Sequence, residues 1–402
     1  MPNVVVAKPY RFVPPRRGRF WWHLFRPILS VYLRRTAGIT RVETRHAERL
    51  RASLEAGHGV MLAPNHCRPC DPMVLGPLAH AVGRPLYAMA SWHVFRQNRV
   101  QAFLLPRLGV FSIYREGSDR EALRTAMQLT AEAERPLVVF PEGVISRHND
   151  QLNHLMEGTA LMARGAAKQR AAADPPGKVV VHPVAIRYLF DGDIDAAAPP
   201  VLRDIEHRLT WHPQDHLALM PRIAQIGSAL LALKEHEYLG AAQTGTITAR
   251  LERLIDRLLL PLEAEWVKGR REKEVVGRVK LLRTAIVPEM ANGTLAETEL
   301  QRRWRQLADL SLAQQLSCYP PDYLAANPTP ERILETIERF EEDLTDRARV
   351  HAPLRAVVEV GEAIAVSPER NRGMDGDPLM VAIRDQLTAM LAASLAHGRA
   401  AP

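Results

Sequence analysis

The chain has 402 residues, of which 47% are hydrophobic and 24% charged. A chain of this length and apolar content can bury more than one core, which excludes a disordered protein and predicts two or three domains. Its three cysteines exclude a disulfide framework and fit a reducing compartment.

Positive charge is concentrated at the start of the chain. Residues 1–51 contain twelve Lys or Arg against two Glu, a surplus of ten, so the other residues sum to about minus two of the overall +8. Apolar residues are interleaved with these arginines: Phe20, Trp21, Trp22, Phe25, Ile28, Leu29 and Tyr32. This composition predicts that residues 1–35 form a basic aromatic segment that docks on an anionic membrane surface.

The apolar stretch 20–33 is too short to span a bilayer, and it contains His23, Arg26 and Pro27. The stretch is interrupted and no small-residue cleavage site follows it, which argues against a secretory signal. We therefore predict no transmembrane helix and a peripheral location on the cytoplasmic face of a membrane.

Residues 57–190 alternate apolar strands with helical stretches, which predicts an α/β layer. The predicted strands are 59–63, 86–90, 110–114, 137–140 and 179–186, and the predicted helices lie near 72–82, 93–105, 118–134 and 154–169.

After Leu189 the pattern changes to long helices, which extend over 200–349 without an evident internal repeat. Strand character returns between 354 and 366, and an amphipathic helix follows. We therefore predict a discontinuous core, residues 36–190 plus 350–397, interrupted by a helical insertion at 200–349.

Residues 66–71 read His-Cys-Arg-Pro-Cys-Asp and place a histidine and an aspartate five residues apart in a loop. Pro69 and Pro72 forbid a helix through this loop, so His66 lies just past a strand end. We expect Asp71 to be an N-cap with Pro72 at the first helical position. A neutral imidazole oriented by a carboxylate can take a proton from an alcohol, whereas the alternative is a loop histidine capped by a neighbouring aspartate.

Three later segments end strands with residues suited to binding. Arg115 follows a strand, and its guanidinium is suited to bidentate binding of a phosphate group. The alternative is a solvated surface arginine. Glu142 can accept hydrogen bonds from substrate hydroxyls and Gly143 can let a ligand approach the backbone, unless they only form a turn. The segment around Pro183 by itself predicts an edge strand.

In this order the four segments resemble the four motif blocks of the glycerolipid acyltransferase family, which contains the 1-acylglycerol-3-phosphate acyltransferases. The resemblance covers about residues 60–190 and is strongest in His66 with Asp71 and in the Phe-Pro-Glu-Gly run at 140–143. It implies an α/β fold with a mixed sheet flanked by helices, in addition to the mainly helical insertion. It also implies that His66 is a general base and Asp71 its orienting partner. The candidate substrate-binding residues are Asn65, Arg115, Glu142, Gly143 and Arg147.

The chain departs from the family pattern after Gly143. Family members commonly have Thr-Arg-Ser there, whereas residues 144–146 are Val-Ile-Ser, so that Ile145 occupies the usual arginine position. Arg147 lies two residues later and is the candidate substitute. The identity of the acceptor therefore stays open.

Cys67 and Cys70 form half of a structural zinc motif, but Cys318 is 248 residues away, so we predict no metal site. A Cys67 thiolate nucleophile is a further alternative. It is disfavoured because neighbouring residues of an extended turn point to opposite sides, and because the resemblance implies direct transfer.

The resemblance implies an O-acyltransferase of phospholipid biosynthesis. It would move a fatty acyl group from an acyl thioester, acyl-CoA or acyl carrier protein, to a hydroxyl of a lysophospholipid or glycerol phosphate. No cofactor is implied, because the thioester is a substrate. The competing class is a noncatalytic lipid- or partner-binding protein on the same fold. Nucleic-acid binding is less favoured, because no basic surplus follows residue 51.

Overall fold

A computed structural model describes residues 8–347, 349–369 and 376–397 of the chain. These residues divide into two compact units. The α/β unit comprises Arg11–Asp191 together with the described residues from Ala352 onward, and the helical unit comprises Gly192–His351 together with residues 8–10. Whether these parts correspond to separate functions stays a prediction.

The strands, in chain order, are β1 (Ile39–Arg45), β2 (Gly59–Pro64), β3 (Tyr87–Ser91), β4 (Val110–Ile113), β5 (Leu137–Val138), β6 (Val179–Phe190), β7 (Leu354–Val360) and β8 (Ile364–Ala365). The helices of the α/β unit are α1 (Phe20–Ala37), α2 (Ala47–Glu55), α3 (Asp71–Val74), α4 (Gly76–Ala81), α5 (Arg99–Arg107), α6 (Arg120–Glu132), α7 (Gly158–Ala171) and, at its end, α15 (Pro378–His397), with a short 3₁₀ turn at Trp92–Arg96. The helices of the helical unit are α8 (Ile194–Arg208), α9 (Leu219–Leu239), α10 (Ile247–Val267), α11 (Val275–Ala291), α12 (Glu297–Leu316), α13 (Tyr323–Ala326) and α14 (Pro330–Thr345).

The strands form one mixed sheet in the order β1-β7-β6-β2-β5-β3-β4, with β8 pairing beside β7 on β6. Strands β6, β2, β5, β3 and β4 are mutually parallel, whereas β7 and β8 run antiparallel to β6. Helices α6 and α7 pack their small buried residues against this sheet. The predicted α/β class, with a mixed sheet flanked by helices and a helical region, is confirmed.

All five predicted strands are present. The predicted and observed strand ends differ most for β5 and β6. Strand β5 ends at Val138 because the chain turns at once, with the N–H of Gly143 donating to the carbonyl of Phe140 at 3.2 Å. Strand β6 runs four residues beyond the predicted end, to Phe190, because β7 pairs with it from Val184 to Phe190.

The expectation of an edge strand around Pro183 is wrong, because β6 lies in the middle of the sheet and is buried over its whole length. The N–H of Gly361 donates to the carbonyl of Pro183, which therefore faces the turn between β7 and β8. A proline fits a central strand here because the neighbouring ladder is interrupted at this point.

The helix predicted near 72–82 is two short helices, α3 and α4, that meet at Leu75. Pro77 lies in the first turn of α4, and a proline cannot continue the hydrogen-bond ladder of a preceding helix. The predicted N-cap role of Asp71 is also wrong. The N-cap position is Cys70, which makes no side-chain capping hydrogen bond, and Asp71 is the first helical residue.

The helical unit contains a recurring buried ion pair that the sequence interpretation missed. Three pairs join the end of one helix to the start of the next: Glu206–Arg222, Glu235–Arg250 and Glu263–Arg278. In each pair the Nε and Nη2 atoms of the guanidinium donate to the two carboxylate oxygens at 2.6–3.1 Å.

The pairs are accompanied by a shared apolar pattern. The three arginines are spaced 28 residues apart, and buried aliphatic residues lie one, four and nine positions after each of them. These residues are Ile223, Ile226 and Leu231, then Leu251, Leu254 and Leu259, then Val279, Leu282 and Val287. The expectation of a region without an internal repeat is therefore wrong. The repeat escaped notice because most other positions differ between copies.

Helix α1 lies on the α/β unit through Leu33 and Ala37, which are buried. Its opposite face exposes Phe20, Leu24, Ile28 and Val31, with exposed fractions of 45–69%. Within the described residues, no helix combines the length and the apolar character that crossing a membrane requires.

Candidate active site

The candidate residues follow the carboxyl ends of three parallel strands. His66 comes two residues after β2, Arg115 two residues after β4, and Glu142 four residues after β5. Parallel strands end at the same edge of a sheet, so these side chains share one edge. The structure brings His66 and Glu142 into direct contact, whereas Arg115 lies after the outermost strand of that side, separated from β2 by β5 and β3.

The imidazole of His66 is held by Asp71. The His66 Nδ1 atom lies 2.7 Å from Oδ2 of Asp71, whose side chain is fully buried, while the His66 side chain is 16% exposed. Because a carboxylate only accepts, this geometry places the proton on Nδ1 and leaves the lone pair on Nε2. Within the described part of the chain, Nε2 makes no hydrogen bond. The site therefore presents a partly exposed imidazole whose tautomer is fixed by Asp71.

Asp71 is surrounded by donors that compensate its burial. Oδ2 also accepts the backbone N–H of Arg68 at 3.0 Å, and Oδ1 accepts the hydroxyl of Tyr188 at 2.6 Å. The Cys67 thiol lies 3.8 Å from Oδ1. Both carboxylate oxygens therefore accept hydrogen bonds, Oδ1 from Tyr188 and Oδ2 from Arg68 and His66.

Glu142 anchors the loop that carries His66. Its Oε1 accepts the backbone N–H of His66 at 2.7 Å, and its Oε2 accepts the backbone N–H of Asn153 at 3.1 Å. Burial raises the pKa of the Glu142 carboxyl to about 8, against these two bonds, which lower it. The N–H of Ser146 donates to the carbonyl of His66 at 2.7 Å. Both backbone groups of His66 are thereby fixed from the turn after β5.

Phe140, from the same turn, stacks on the imidazole. The two ring centroids are 4.1 Å apart and the planes are inclined by 26°. The stack holds the imidazole plane, while Asp71 fixes its rotation. The sequence placed Phe140 in a strand and in the Phe-Pro-Glu-Gly run, without a role in holding the imidazole.

Comparison with known proteins gives the family. Residues 41–187 match the family model of the acyltransferase domain. The chain contains an acyltransferase domain of the glycerolipid acyltransferase family. The match includes His66, Asp71, Arg115 and Glu142, and it supports acyl transfer as the general reaction. Among curated protein sequences, no significant match to the chain was found.

Asn65 uses its side chain inside the acyltransferase domain. Its Oδ1 accepts the N–H of Ile186 at 2.7 Å and its Nδ2 donates to the carbonyl of Ile186 at 2.9 Å. Asn149 makes the same pair of bonds to Tyr188, both at 2.6 Å. The two amides thus continue the ladder on β6 beyond the end of β2. These contacts give Asn65 a positioning role, and its predicted contact with substrate stays a prediction.

Gly143 is required by the backbone of the acyltransferase domain, and its predicted contact with a ligand stays a prediction. Its φ is 68°, in the left-handed region, and a Cβ atom there would collide with the sulfur of Met156. Arg147 also has a left-handed φ, 63°, and is partly buried. Its predicted contact with the acceptor stays a prediction.

Arg115 is a partly buried cation at the edge of the acyltransferase domain. Burial lowers the pKa of its guanidinium from the ordinary value, with Glu116 opposing this shift. It forms no hydrogen bond or ion pair with the residues that the structure describes. A guanidinium stays charged in proteins, so this position is suited to an anionic ligand.

The two cysteines of the loop face the same carboxylate network. Cys67 and Cys70 are buried, and neither forms a disulfide. Burial raises the pKa of the Cys70 thiol to about 11, which keeps it protonated near neutral pH. No group of three or more His, Cys, Asp or Glu residues suited to a metal ion occurs in the described ranges.

Tyr188, Asn149 and Phe140 are the site residues that sequence reasoning did not identify. Tyr188 lies one residue beyond the family match, and its partners are 117 and 39 residues away in the chain. The alternation of side chains along β6 is a signal that could have placed Tyr188 on the same face as Ile186. Nothing in the sequence pattern points to its partner.

Proposed function

We propose that the protein is an O-acyltransferase that moves a fatty acyl group from an acyl thioester to a hydroxyl of a lysophospholipid or glycerol phosphate. The thioester is acyl-CoA or acyl carrier protein, and the reaction serves phospholipid biosynthesis. The observation that carries the proposal is the His66–Asp71 pair, with Nδ1 and Oδ2 at 2.7 Å and the His66 side chain 16% exposed.

The geometry supports a direct transfer. Nε2 of His66 removes the proton of the acceptor hydroxyl, and the hydroxyl oxygen attacks the thioester carbonyl carbon. A tetrahedral oxyanion forms and would be stabilised by nearby backbone N–H groups. The C–S bond then breaks, and the imidazolium returns its proton to the leaving thiolate. Asp71 stabilises the imidazolium throughout and keeps the tautomer fixed.

Arg115 is proposed to bind the acceptor phosphate. We expect Arg115→Gln to raise the KM for a phosphorylated acceptor about tenfold or more, since a charge-assisted hydrogen bond contributes about 1.5–3 kcal/mol. The KM for the acyl thioester should change little. Steady-state kinetics with each substrate varied in turn measures both values. The control is Arg120→Gln, because Arg120 is exposed at the start of α6. Equal KM values for Arg115→Gln and wild type would contradict this role.

A membrane surface is the proposed place of the reaction, because a lysophospholipid acceptor lies in a bilayer. The exposed face of α1 is continued by α5, since the rings of Trp21 and Phe103 lie 5.4 Å apart and Phe103 is 46% exposed. Arginines flank this apolar face at both ends of α1, Arg19 before it and Arg34 and Arg35 in its last turn. An apolar face with basic flanks is suited to an anionic bilayer.

This docking face can be tested without disturbing the core. We expect the double variant Leu24→Ser, Ile28→Ser to weaken binding to anionic vesicles about tenfold or more, because each inserted leucine or isoleucine contributes about 1.5–3 kcal/mol when fully buried. Co-sedimentation with vesicles at low salt gives the partition coefficient. The matched control is Leu233→Ser, Leu260→Ser, which removes exposed leucines of α9 and α10. Equal loss in both double variants would reject the assignment of this face.

A panel of acceptors decides the substrate. The purified protein is incubated with an acyl thioester and, separately, with glycerol 3-phosphate, lysophosphatidic acid and other lysophospholipids. Transfer to a phosphorylated acceptor is the expected result. If the protein binds lysolipid but neither transfers the acyl group nor hydrolyses the thioester, it is instead a noncatalytic lipid-binding protein.

A further inference from the structure

The carboxylate that orients His66 has a partner on the other side. The Tyr188 hydroxyl lies 2.6 Å from Oδ1 of Asp71, while His66 is bonded to Oδ2. Tyr188 and Asp71 are 1% and 0% exposed. The carboxylate is thus bridged between the imidazole and a phenol, and solvent reaches neither the phenol nor the carboxylate.

The direction of the hydrogen bonds follows from the chemistry of the groups. Burial, and then the charge of Asp71, raise the pKa of the Tyr188 hydroxyl well above its ordinary value, so the hydroxyl keeps its proton. It therefore donates to Asp71, which only accepts. The Cys70 sulfur lies 3.4 Å from the Tyr188 oxygen. Because the proton of that hydroxyl already takes part in the hydrogen bond to Asp71, the thiol is the donor to the Tyr188 oxygen.

Tyr188 is held rigidly enough to fix its partner. Asn149 bonds both backbone groups of Tyr188 at 2.6 Å, and the Arg68 guanidinium lies over the tyrosine ring, 5.3 Å from its centroid. Backbone and ring are thereby constrained from opposite ends of the residue.

We propose that Tyr188 is a positioning residue for acyl transfer, acting through Asp71 on the basicity and orientation of His66. The chain Cys70–Tyr188–Asp71–His66 also gives a role to one of the loop cysteines. This inference rests on the proposed role of His66 as the base.

The hydroxyl controls how the negative charge of Asp71 is shared. The hydroxyl donates a hydrogen bond to Oδ1 and draws negative charge toward that oxygen, so Oδ2 accepts the hydrogen bond from His66 less strongly. When the hydroxyl is removed, the donor that remains to Oδ1 among the described residues is the Cys67 thiol, which is a weak donor. The carboxylate then binds the imidazolium more strongly, which favours the protonated form of His66. The other titratable groups around the pair are Glu142, Cys67, Cys70 and Arg68.

The test is Tyr188→Phe, which removes one oxygen and keeps the ring. We expect kcat/KM to fall about tenfold to a hundredfold, which corresponds to a hydrogen bond to a charged group. We also expect the acid limb of the pH profile of kcat/KM to move to higher pH. The matched control is Tyr87→Phe, another buried tyrosine, whose hydroxyl reaches Glu134 at 3.5 Å. It should leave the pH profile unchanged.

A second measurement does not depend on turnover. The titration of the His66 imidazole is followed by ¹⁵N NMR of the full-length protein, with the signal assigned by its loss in His66→Ala. A higher imidazole pKa in Tyr188→Phe than in wild type supports the inference. An unchanged titration together with an unchanged acid limb overturns it, whatever the loss in rate. The proposed base role of His66 fails separately, if His66→Ala transfers acyl groups at the wild-type rate.

Discussion

Replacing His66 by alanine should lower kcat for acyl transfer by about a hundredfold or more, because the acceptor hydroxyl loses its general base. The imidazole is the group that presents a free nitrogen at the edge of the sheet, while Asp71 is fully buried. The loss should appear in kcat rather than in the KM of either substrate, because the base acts on the proton in the transition state.

The experiment needs a variant that keeps a hydrogen-bond donor to the buried carboxylate of Asp71. His66→Ala removes a donor from Asp71, whereas His66→Gln retains an amide N–H that can reach it, so both variants are compared. The control His46→Ala changes a histidine that is 44% exposed and pairs with Glu48. Thermal melts of all variants separate loss of the base from loss of the fold. Transfer by His66→Gln or His66→Ala at the rate of the control would contradict the mechanism.

Replacing Glu235 by glutamine should destabilise the helical unit by about 3–5 kcal/mol, because it leaves a buried arginine charge without its counter-ion. Glu235 is fully buried and bonds Arg250 at 2.7 and 2.9 Å, and it also accepts the N–H of Gln243 at 2.9 Å. Urea denaturation, followed by hydrogen exchange of peptides from α9 and α10, gives the free energy of unfolding of this region.

A neighbouring glutamate gives the matched control for this ion pair. Glu237 pairs with Lys234 at 2.8 Å, and both side chains are about half exposed. Exposed pairs contribute about 0–1 kcal/mol, so Glu237→Gln should have little effect. Replacing Glu235 and Arg250 together by methionine and leucine should restore most of the stability, because no charge is then buried. If Glu235→Gln and Glu237→Gln both lower the free energy of unfolding by a similarly small amount, the buried pair contributes little to stability.

The effect of Glu235→Gln should also depend on pH. The hydrogen bond from Arg250 lowers the pKa of the Glu235 carboxyl in the folded state. A lowered pKa means that the stabilisation is present above the pKa of the unfolded chain and is lost as pH falls through that of the folded state. The difference in stability between wild type and Glu235→Gln should therefore shrink in acid.

The general layout of the acyltransferase domain was accessible from the sequence. Short apolar runs separated by helical stretches predict an α/β layer, and His66, Glu142 and Arg115 each follow such a run. The structure shows that these runs are parallel strands, and parallel strands end at one edge of the sheet. The five-residue spacing of His66 and Asp71 limited them to one loop, where a contact was expected.

Several local features could not be predicted, because they depend on distant segments. Pro183 suggested an edge strand, yet β7 and β8 come from a distant part of the sequence and pair with β6. Asp71 suggested an N-cap, but Tyr188 and His66 use its oxygens instead. The repeated ion pairs of the helical unit were hidden, since arginines in helices are usually on the surface and their burial is a tertiary property.

The sequence by itself therefore determined the α/β class, the strands that precede the candidate residues, and the expected pairing of His66 with Asp71. Local patterns decide these features, because apolar periodicity and proline positions act over a few residues. Only the tertiary structure decided that Tyr188 supports Asp71, that Glu142 bonds the backbone of His66, and that Arg115 is partly buried. These contacts join residues that are far apart in the chain, and only the packed sheet brings their polar atoms within hydrogen-bonding distance.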